Sequence, residues 1–309
     1  MISFVLLSLP VFAVAGVGFF GARSGLIGEV ALDALGSFSF RFALPALVLR
    51  LIAAQPLDRT FNPSFFAAYL GSGGLVFVSV FLFTVIVSRV SVPVAGARST
   101  AAAFSNLGFL GPPLLLTYFG DRGAGPLAMA IMSEVMIIFS VGSTLMGSGQ
   151  SGGRNIRLAV LRGIVLNPVL IAILMGAAFA AAGVRIPTSL DRFLELLGGA
   201  AAPTALFALG GSLALQKLDG DTILTATALS LAKLVLYPVV AWCALTLLFG
   251  AGDFWLRAGV LLACLPSASS NYVAAQRFAT EPDVVSAAIT ISTISSIITV
   301  PIAVWMISG

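Results

Sequence analysis

Two short stretches hold most of the chain's capacity for polar chemistry. One reads Phe104-Ser105-Asn106-Leu107-Gly108-Phe109-Leu110-Gly111-Pro112-Pro113-Leu114, the other Leu265-Pro266-Ser267-Ala268-Ser269-Ser270-Asn271-Tyr272. Each lies inside an apolar run, and each contains proline, which removes a backbone donor and clashes with the preceding turn of a helix. A helix passing through either stretch should break and restart, near Pro113 in the first and near Ser267 in the second. A restarted helix offers unpaired N–H groups and a positive dipole end, so a carboxylate can bind there without Arg or Lys. Asn106 and Asn271 would add side-chain donors, with Gly111, Pro112, Pro113 and Pro266 shaping the breaks. Ser267, Ser269 and Ser270 would cap the second restart or touch the ligand. The plainer alternative is that the prolines only kink packed helices and that Ser and Asn tie neighbouring helices together.

Three ionisable residues stand well inside apolar runs: Arg41, Glu134 and Lys233. Charges in such places are costly and mark functional sites by default. Glu134 and Lys233 are expected either to pair or to leave Glu134 as a proton or cation coupling group, with H+ or Na+ as the coupling ion. Arg41 either snorkels or lines a seam between moving parts. The hydroxyls of Thr290, Ser292, Thr293, Ser295, Ser296 and Thr299 form a polar stripe that can coordinate a cation or substrate, or bond back to their own helix.

The elements that position these residues follow from composition. Of 309 residues only 9 % are charged and 59 % are hydrophobic, against about 25 % charged in soluble domains. Runs near the ~20 residues that cross a bilayer recur throughout. The chain is therefore read as an all-α polytopic membrane protein. Glycine and proline do not argue otherwise, because spanning helices tolerate both, and the ~10-residue alternation of a membrane barrel is not evident.

Missing residue types exclude several activities. There is no His, so a Ser-His-Asp triad, a His metal site and a His proton relay are ruled out. Cys243 and Cys264 have neither a disulfide framework nor a zinc spacing. Gly149-Gln150-Ser151-Gly152-Gly153 matches the nucleophile-elbow pattern formally, but no His exists to serve it. Neither Lys217 nor Lys233 follows a phosphate-binding loop. The chain is accordingly not expected to be an enzyme and no cofactor is implied. Its +4 net charge is scattered among short loops, which argues against a nucleic-acid partner.

Ten spans are expected at roughly 2–22, 32–54, 64–88, 98–119, 125–147, 158–182, 189–215, 222–249, 255–279 and 283–307, with ends uncertain by ~2–4 residues. The polar segment 148–157 divides residues 1–147 from residues 158–309. Pro10 and Pro168 lie 158 apart (168−10), as do Gly18 and Gly176, Asp33 and Asp191, and Pro45 and Pro203; Arg98 and Arg257 lie 159 apart (257−98). Five spans per half force the halves to enter the membrane in opposite senses, giving a 5+5 inverted repeat. Breaks in spans 4 and 9, at matching places, then point to a binding site. Counting Lys and Arg near loops gives eight on one side and six on the other. The 89–98 and 154–162 clusters, which lack nearby acids, place both termini outside and the 148–157 loop in the cytoplasm.

At these residues the chain resembles a known family. Asn106 to Leu115 with Phe119-Gly120, Leu209-Gly-Gly-Ser-Leu-Ala214, Leu265 to Asn271, and Ser292-Thr-Ile-Ser-Ser-Ile-Ile-Thr-Val-Pro301 resemble the auxin efflux carriers, which include plant PIN-type exporters and bacterial carriers of malonate and similar acids. The resemblance implies a ten-helix fold like that of bile-acid sodium symporters, with spans 1, 2, 6 and 7 as scaffold and spans 3–5 and 8–10 as transport domain. It implies crossing broken helices 4 and 9 with Asn106, the Pro112/Pro113 break and Asn271 at a carboxylate site, elevator-type movement, and a homodimer. The short central loop fits a bacterial inner-membrane carrier better than a plant one. The expected function is secondary transport of a small organic anion. A sodium-coupled bile-acid-type symporter is the nearest alternative, and a membrane-embedded enzyme or a receptor stands further off.

Overall fold

The computed structural model describes residues 2–149, 153–216, 220–248 and 252–308, and every regular element among them is a helix. Lys217 and residues 150–152, the middle of the 148–157 loop and of the elbow-like pattern, lie outside the described residues. Six helical stretches are long and apolar enough to cross a membrane: Glu29–Ala53, Pro63–Ile86, Gly111–Gly147, Thr188–Leu215, Ile223–Leu247 and Pro282–Met306. Two shorter apolar helices cover Leu9–Arg23 and Pro168–Ala182. The chain thus has the all-helical, multi-pass character of a membrane protein.

Expected spans 4, 6 and 9 each prove to be two helices. Val92–Ala103 is followed by Gly111–Phe119, Gly153–Val165 by Pro168–Ala182, and Asp253–Ala263 by Ser270–Phe278. The split at 166–167 was not foreseen within the expected 158–182 span, and its cause is local. Pro168 has no N–H to continue the helix, and Asn167 Oδ1 accepts from the N–H groups of Val169 (2.9 Å) and Leu170 (3.2 Å), which starts a new helix with proline in its first turn.

The helices group into two units. The first comprises Met1–Asn62, Leu107–Met129 and Val165–Gln216. Its helices meet at glycines, where the absence of a side chain lets backbones approach. Gly18 of Ile2–Arg23 lies against the Phe207 carbonyl of Ala201–Leu215, and Gly210 of that second helix lies against the Ala15 carbonyl of the first. Gly176 of Pro168–Ala182 sits on Leu49 and Ile52 of Leu44–Ala53, with a Cβ there coming to 3.0 Å of the Leu49 oxygen. Gly198 meets Leu47 in the same way. Arg50 closes one end of this unit by a two-pronged bond to Asp191, Nε to Oδ1 at 2.8 Å and Nη2 to Oδ2 at 3.3 Å.

The second unit comprises Pro63–Asn106, Ala130–Ile164 and Lys217–Gly309. Its centre is built from the small residues of Val92–Ala103, where Ala95, Ala97, Ala101, Ala102 and Ala103 are all buried. Gly142 lies against Thr100 and Gly96 against Leu145, so the helix Ser140–Gly147 packs directly on this stretch. Arg98 reaches the turn after Ser270–Phe278 and grips Glu281 with two bonds of 2.8 and 2.9 Å. In that turn Ala279 (φ 52°) and Glu281 (φ 49°) are both left-handed, a conformation that costs non-glycine residues free energy. Arg98→Ala is therefore expected to lower stability by about 1 kcal/mol, a partly exposed ion pair with good geometry. Thermal melting in detergent checks this, and Glu281→Gly, which relieves the strained φ, should lose less than Arg98→Ala.

Candidate functional site

Val92–Ala103 stops at extended Phe104 and Asp253–Ala263 stops just before Pro266, and both ends leave backbone groups without helical partners. The two freed segments satisfy each other. The Asn106 N–H donates to the Pro266 carbonyl at 2.8 Å and the Ala268 N–H donates to the Phe104 carbonyl at 3.2 Å. Ser105 and Ser267 thereby form an antiparallel bridge, the only one among the described residues. Both segments are buried, with Ser105 and Ser267 at 1 % exposure, Asn271 at 2 % and Asn106 at 3 %. Extended backbone of this kind is tolerated at membrane depth only when protein satisfies it.

Glu134 anchors the first segment. Its Oε2 accepts from the Ser105 N–H at 2.6 Å, while its Oε1 accepts from the hydroxyls of Ser105 (2.8 Å), Tyr69 (2.8 Å) and Tyr237 (3.1 Å). Four donors therefore converge on one fully buried carboxylate. Lys233 serves the second segment. Its Nζ donates to the Ala263 carbonyl at 2.7 Å, at the C-terminal end of Asp253–Ala263, and stands 4.5 Å from the centre of the Tyr237 ring. Glu134 and Lys233 thus lie in the same unit without a direct ion pair: each charge holds the end of one interrupted helix, and Tyr237 stands between them.

Asn271 donates through Nδ2 to Ser267 Oγ at 2.9 Å and to the Thr100 carbonyl at 3.5 Å, whereas its Oδ1 is buried with no hydrogen-bond partner. The Ser267 N–H donates to Ser292 Oγ at 3.2 Å. Ser269 occupies the N-cap of Ser270–Phe278 but makes no capping bond through its side chain. Ser269 is half-buried and Ser270 exposed. The side-chain cap expected from this serine cluster is therefore not made, and the Ser267 hydroxyl instead accepts from Asn271. Along Pro282–Ser308, Thr290, Ser292, Thr293 and Ser296 all donate back to carbonyls of their own helix, as hydroxyls in helices commonly do.

Gly111, Pro112 and Pro113 open the helix Gly111–Phe119, which belongs to the first unit, and all three are buried. Because neither proline has an N–H, Gly111 is the only donor among the three, so this helix start offers fewer amide groups than a break of ordinary residues. Arg41 also lies in the first unit. It is exposed and makes no ion pair or side-chain hydrogen bond among the described residues. Arg41, Glu134 and Lys233 each fall in a π-helical turn, Ser39–Ala43, Glu134–Phe139 and Ala232–Leu236; such turns are rare and gather at functional positions.

Three partners of the site were not singled out by the sequence reading: Ser105, Tyr69 and Tyr237. The tyrosines carried a usable signal. The chain has only 4 of them, and a tyrosine inside an apolar run needs a partner for its hydroxyl.

Comparison with known proteins identifies the family. The sequence model of the family described as "Membrane transport protein" matches residues 4–306. The chain is 31 % identical over 304 residues, 97 % of its own length and 95 % of the relative's, to a protein named "Putative malonate transporter" in Rhizobium meliloti (strain 1021). It is 25 % identical over 304 residues, 96 % of each chain, to "Uncharacterized transporter YfdV" of Escherichia coli (strain K12). An "Uncharacterized transporter" of Methanothermobacter thermautotrophicus is 32 % identical over 206 residues, 66 % of this chain and 65 % of that one. A match over nearly the whole length, joined to the interrupted apolar helices, places the chain in the membrane transport protein family of auxin efflux carriers.

Proposed function

We propose that this protein is a secondary carrier of small organic anions, either short dicarboxylates such as malonate or auxin-like acids, and that its ligand binds at the paired unwound segments. The observation that carries the reading is the bridge between Ser105 and Ser267 with Asn106 and Asn271 beside it. Here the helix Ser270–Phe278 begins without a side-chain cap, and although its Asn271 and Tyr272 N–H groups donate to the Ala268 and Ser269 carbonyls, its positive dipole end favours a negative group. The Asn271 amide has one uncommitted end. A half-turn about its last bond would let Ser267 donate to Oδ1 and would turn the NH2 towards an anion, since a hydroxyl serves either end. Half-helix ends of this sort receive carboxylates in carriers built from inverted repeats.

The 5+5 repeat has support in packing as well as in spacing. Gly18 and Gly176, 158 apart, each make a close helix contact, the first with expected span 7 and the second with expected span 2. A repeat that exchanges spans 1 and 6 also exchanges spans 2 and 7, so the two contacts are counterparts. The proposal includes elevator-type movement, both termini outside a bacterial inner membrane and a homodimer as the working form; the unit that holds spans 1, 2 and 7 and most of span 6 also holds Leu107–Met129, from expected spans 4 and 5. The relative named for malonate transport supports the substrate class. No catalytic step is assigned to any residue.

Uptake of labelled malonate by proteoliposomes tests the reading. Asn106→Ala and Asn271→Ala are each expected to reduce uptake to the level of empty vesicles while the purified variants keep a cooperative melting transition. Wild-type uptake in both variants would reject the site.

A further inference from the structure

The ammonium of Lys233 ends on the backbone carbonyl that closes the helix Asp253–Ala263. Carbonyls at the C-terminal end of an interrupted helix carry partial negative charge, and in membrane carriers such ends coordinate Na+. Here the Ala263 carbonyl, at the end of Asp253–Ala263, receives Lys233 Nζ at 2.7 Å. Lys233 has 0 % exposure, and its charge lies over the Tyr237 ring at 4.5 Å. The same tyrosine donates its hydroxyl to Glu134 at 3.1 Å, so a buried cation and a buried carboxylate face one another across a single side chain. No cluster of three or more acidic, Cys or His side chains able to hold a metal exists among the described residues.

We propose that Lys233 is a tethered cation standing in for a bound sodium ion at the break of the second interrupted helix, so that the protein keeps this break and its ligand site in shape without sodium. The proposal rests on the carrier reading above and deepens it, because it assigns to the chain itself the positive charge that a sodium symporter would draw from solution. Two neighbours define the role. The Ala263 carbonyl needs a positive or strongly donating group, and Glu134 needs a countercharge near its site in low dielectric. Lys233 supplies both from one covalently held position. Its place is one of positioning: it holds Ala263, three residues before Pro266 (266−263), and thereby the segment that pairs with Phe104 and Asn106.

The test compares sodium chloride with choline chloride at equal ionic strength, by melting of the purified protein and by uptake of labelled malonate. Wild type is expected to melt at the same temperature and to transport at the same rate in both salts. A melting temperature that rises saturably with sodium, or uptake that needs sodium, overturns the proposal. Melting requires no substrate, so this result is readable even if the protein carries no malonate; absence of uptake in both salts counts against the carrier reading alone. Lys233→Gln separates charge from hydrogen bonding, since the amide still donates to a carbonyl but carries no charge. In choline it is expected to melt lower than wild type and to lose uptake, and sodium or methylammonium is expected to raise both. A Lys233→Gln protein that matches wild type in choline overturns the proposal, as does a folded one that no cation restores. Should that variant fail to fold, the wild-type salt comparison decides the matter.

Discussion

Glu134→Ala is expected to destabilise the protein by about 3–5 kcal/mol, the cost of stripping one member from a buried charged network. The substitution leaves the hydroxyls of Ser105, Tyr69 and Tyr237 and the Ser105 N–H without their acceptor, and leaves Lys233 without a nearby countercharge. Little of this can be recovered by water, since Glu134 is only 1 % exposed and Tyr69, Tyr237 and Lys233 are at 0 %. Glu134→Gln should lose less, roughly 1–3 kcal/mol, because one oxygen still receives hydroxyls while the NH2 faces a donor. Melting of detergent-purified protein measures the order wild type, Gln, Ala. An Ala variant as stable as wild type would show that the carboxylate does not organise the unwound segment.

Gly210→Val is expected to separate two helices of the first unit and to cost more than about 3 kcal/mol, the upper range for forcing bulk into a packed contact. A Cβ at Gly210 falls on the backbone carbonyl of Ala15, with the Ala15 carbon at 2.6 Å, and backbone cannot rotate aside as a side chain does. Gly18, facing the Phe207 carbonyl from the other helix, should respond similarly. Gly16 is the internal control: nothing lies within 4 Å of its Cβ position, so Gly16→Ala should be neutral or raise stability by roughly 0.5–1 kcal/mol through the helix propensity of alanine. Yield and melting temperature distinguish the pair, and equal behaviour of the Gly210 and Gly16 variants would contradict the packing argument.

Much of the backbone was legible from residues alone. Expected span 3 at 64–88 corresponds to Pro63–Ile86, and expected span 10 at 283–307 to Pro282–Ser308, because apolar length bounded by polar residues is a local property. The interruption before Pro266 was legible because a missing N–H acts within one turn, whereas the first helix stops already at Ala103 and Gly111-Pro112-Pro113 open the helix that follows. The further break at Asn167-Pro168 obeys the same rule and was passed over because apolar residues continue on both sides. Spacing also set Glu134 and Lys233 apart as buried charges; of the two roles it suggested, the direct pair is not made among the described residues, where each charge holds the end of a different interrupted helix.

Composition and proline placement by themselves determined that the chain is a helical membrane protein with polar interruptions, since lipid leaves so few ways to satisfy a backbone. Which groups meet at those interruptions was settled by packing of spans distant in the chain. Glu134 finds Ser105, Tyr69 and Tyr237 at separations of 29, 65 and 103 residues, and Lys233 finds Ala263 at 30. Local sequence carries no record of such separations, because a buried carboxylate or ammonium accepts any partner of suitable polarity, and only the arrangement of the helices brings one partner within hydrogen-bond reach.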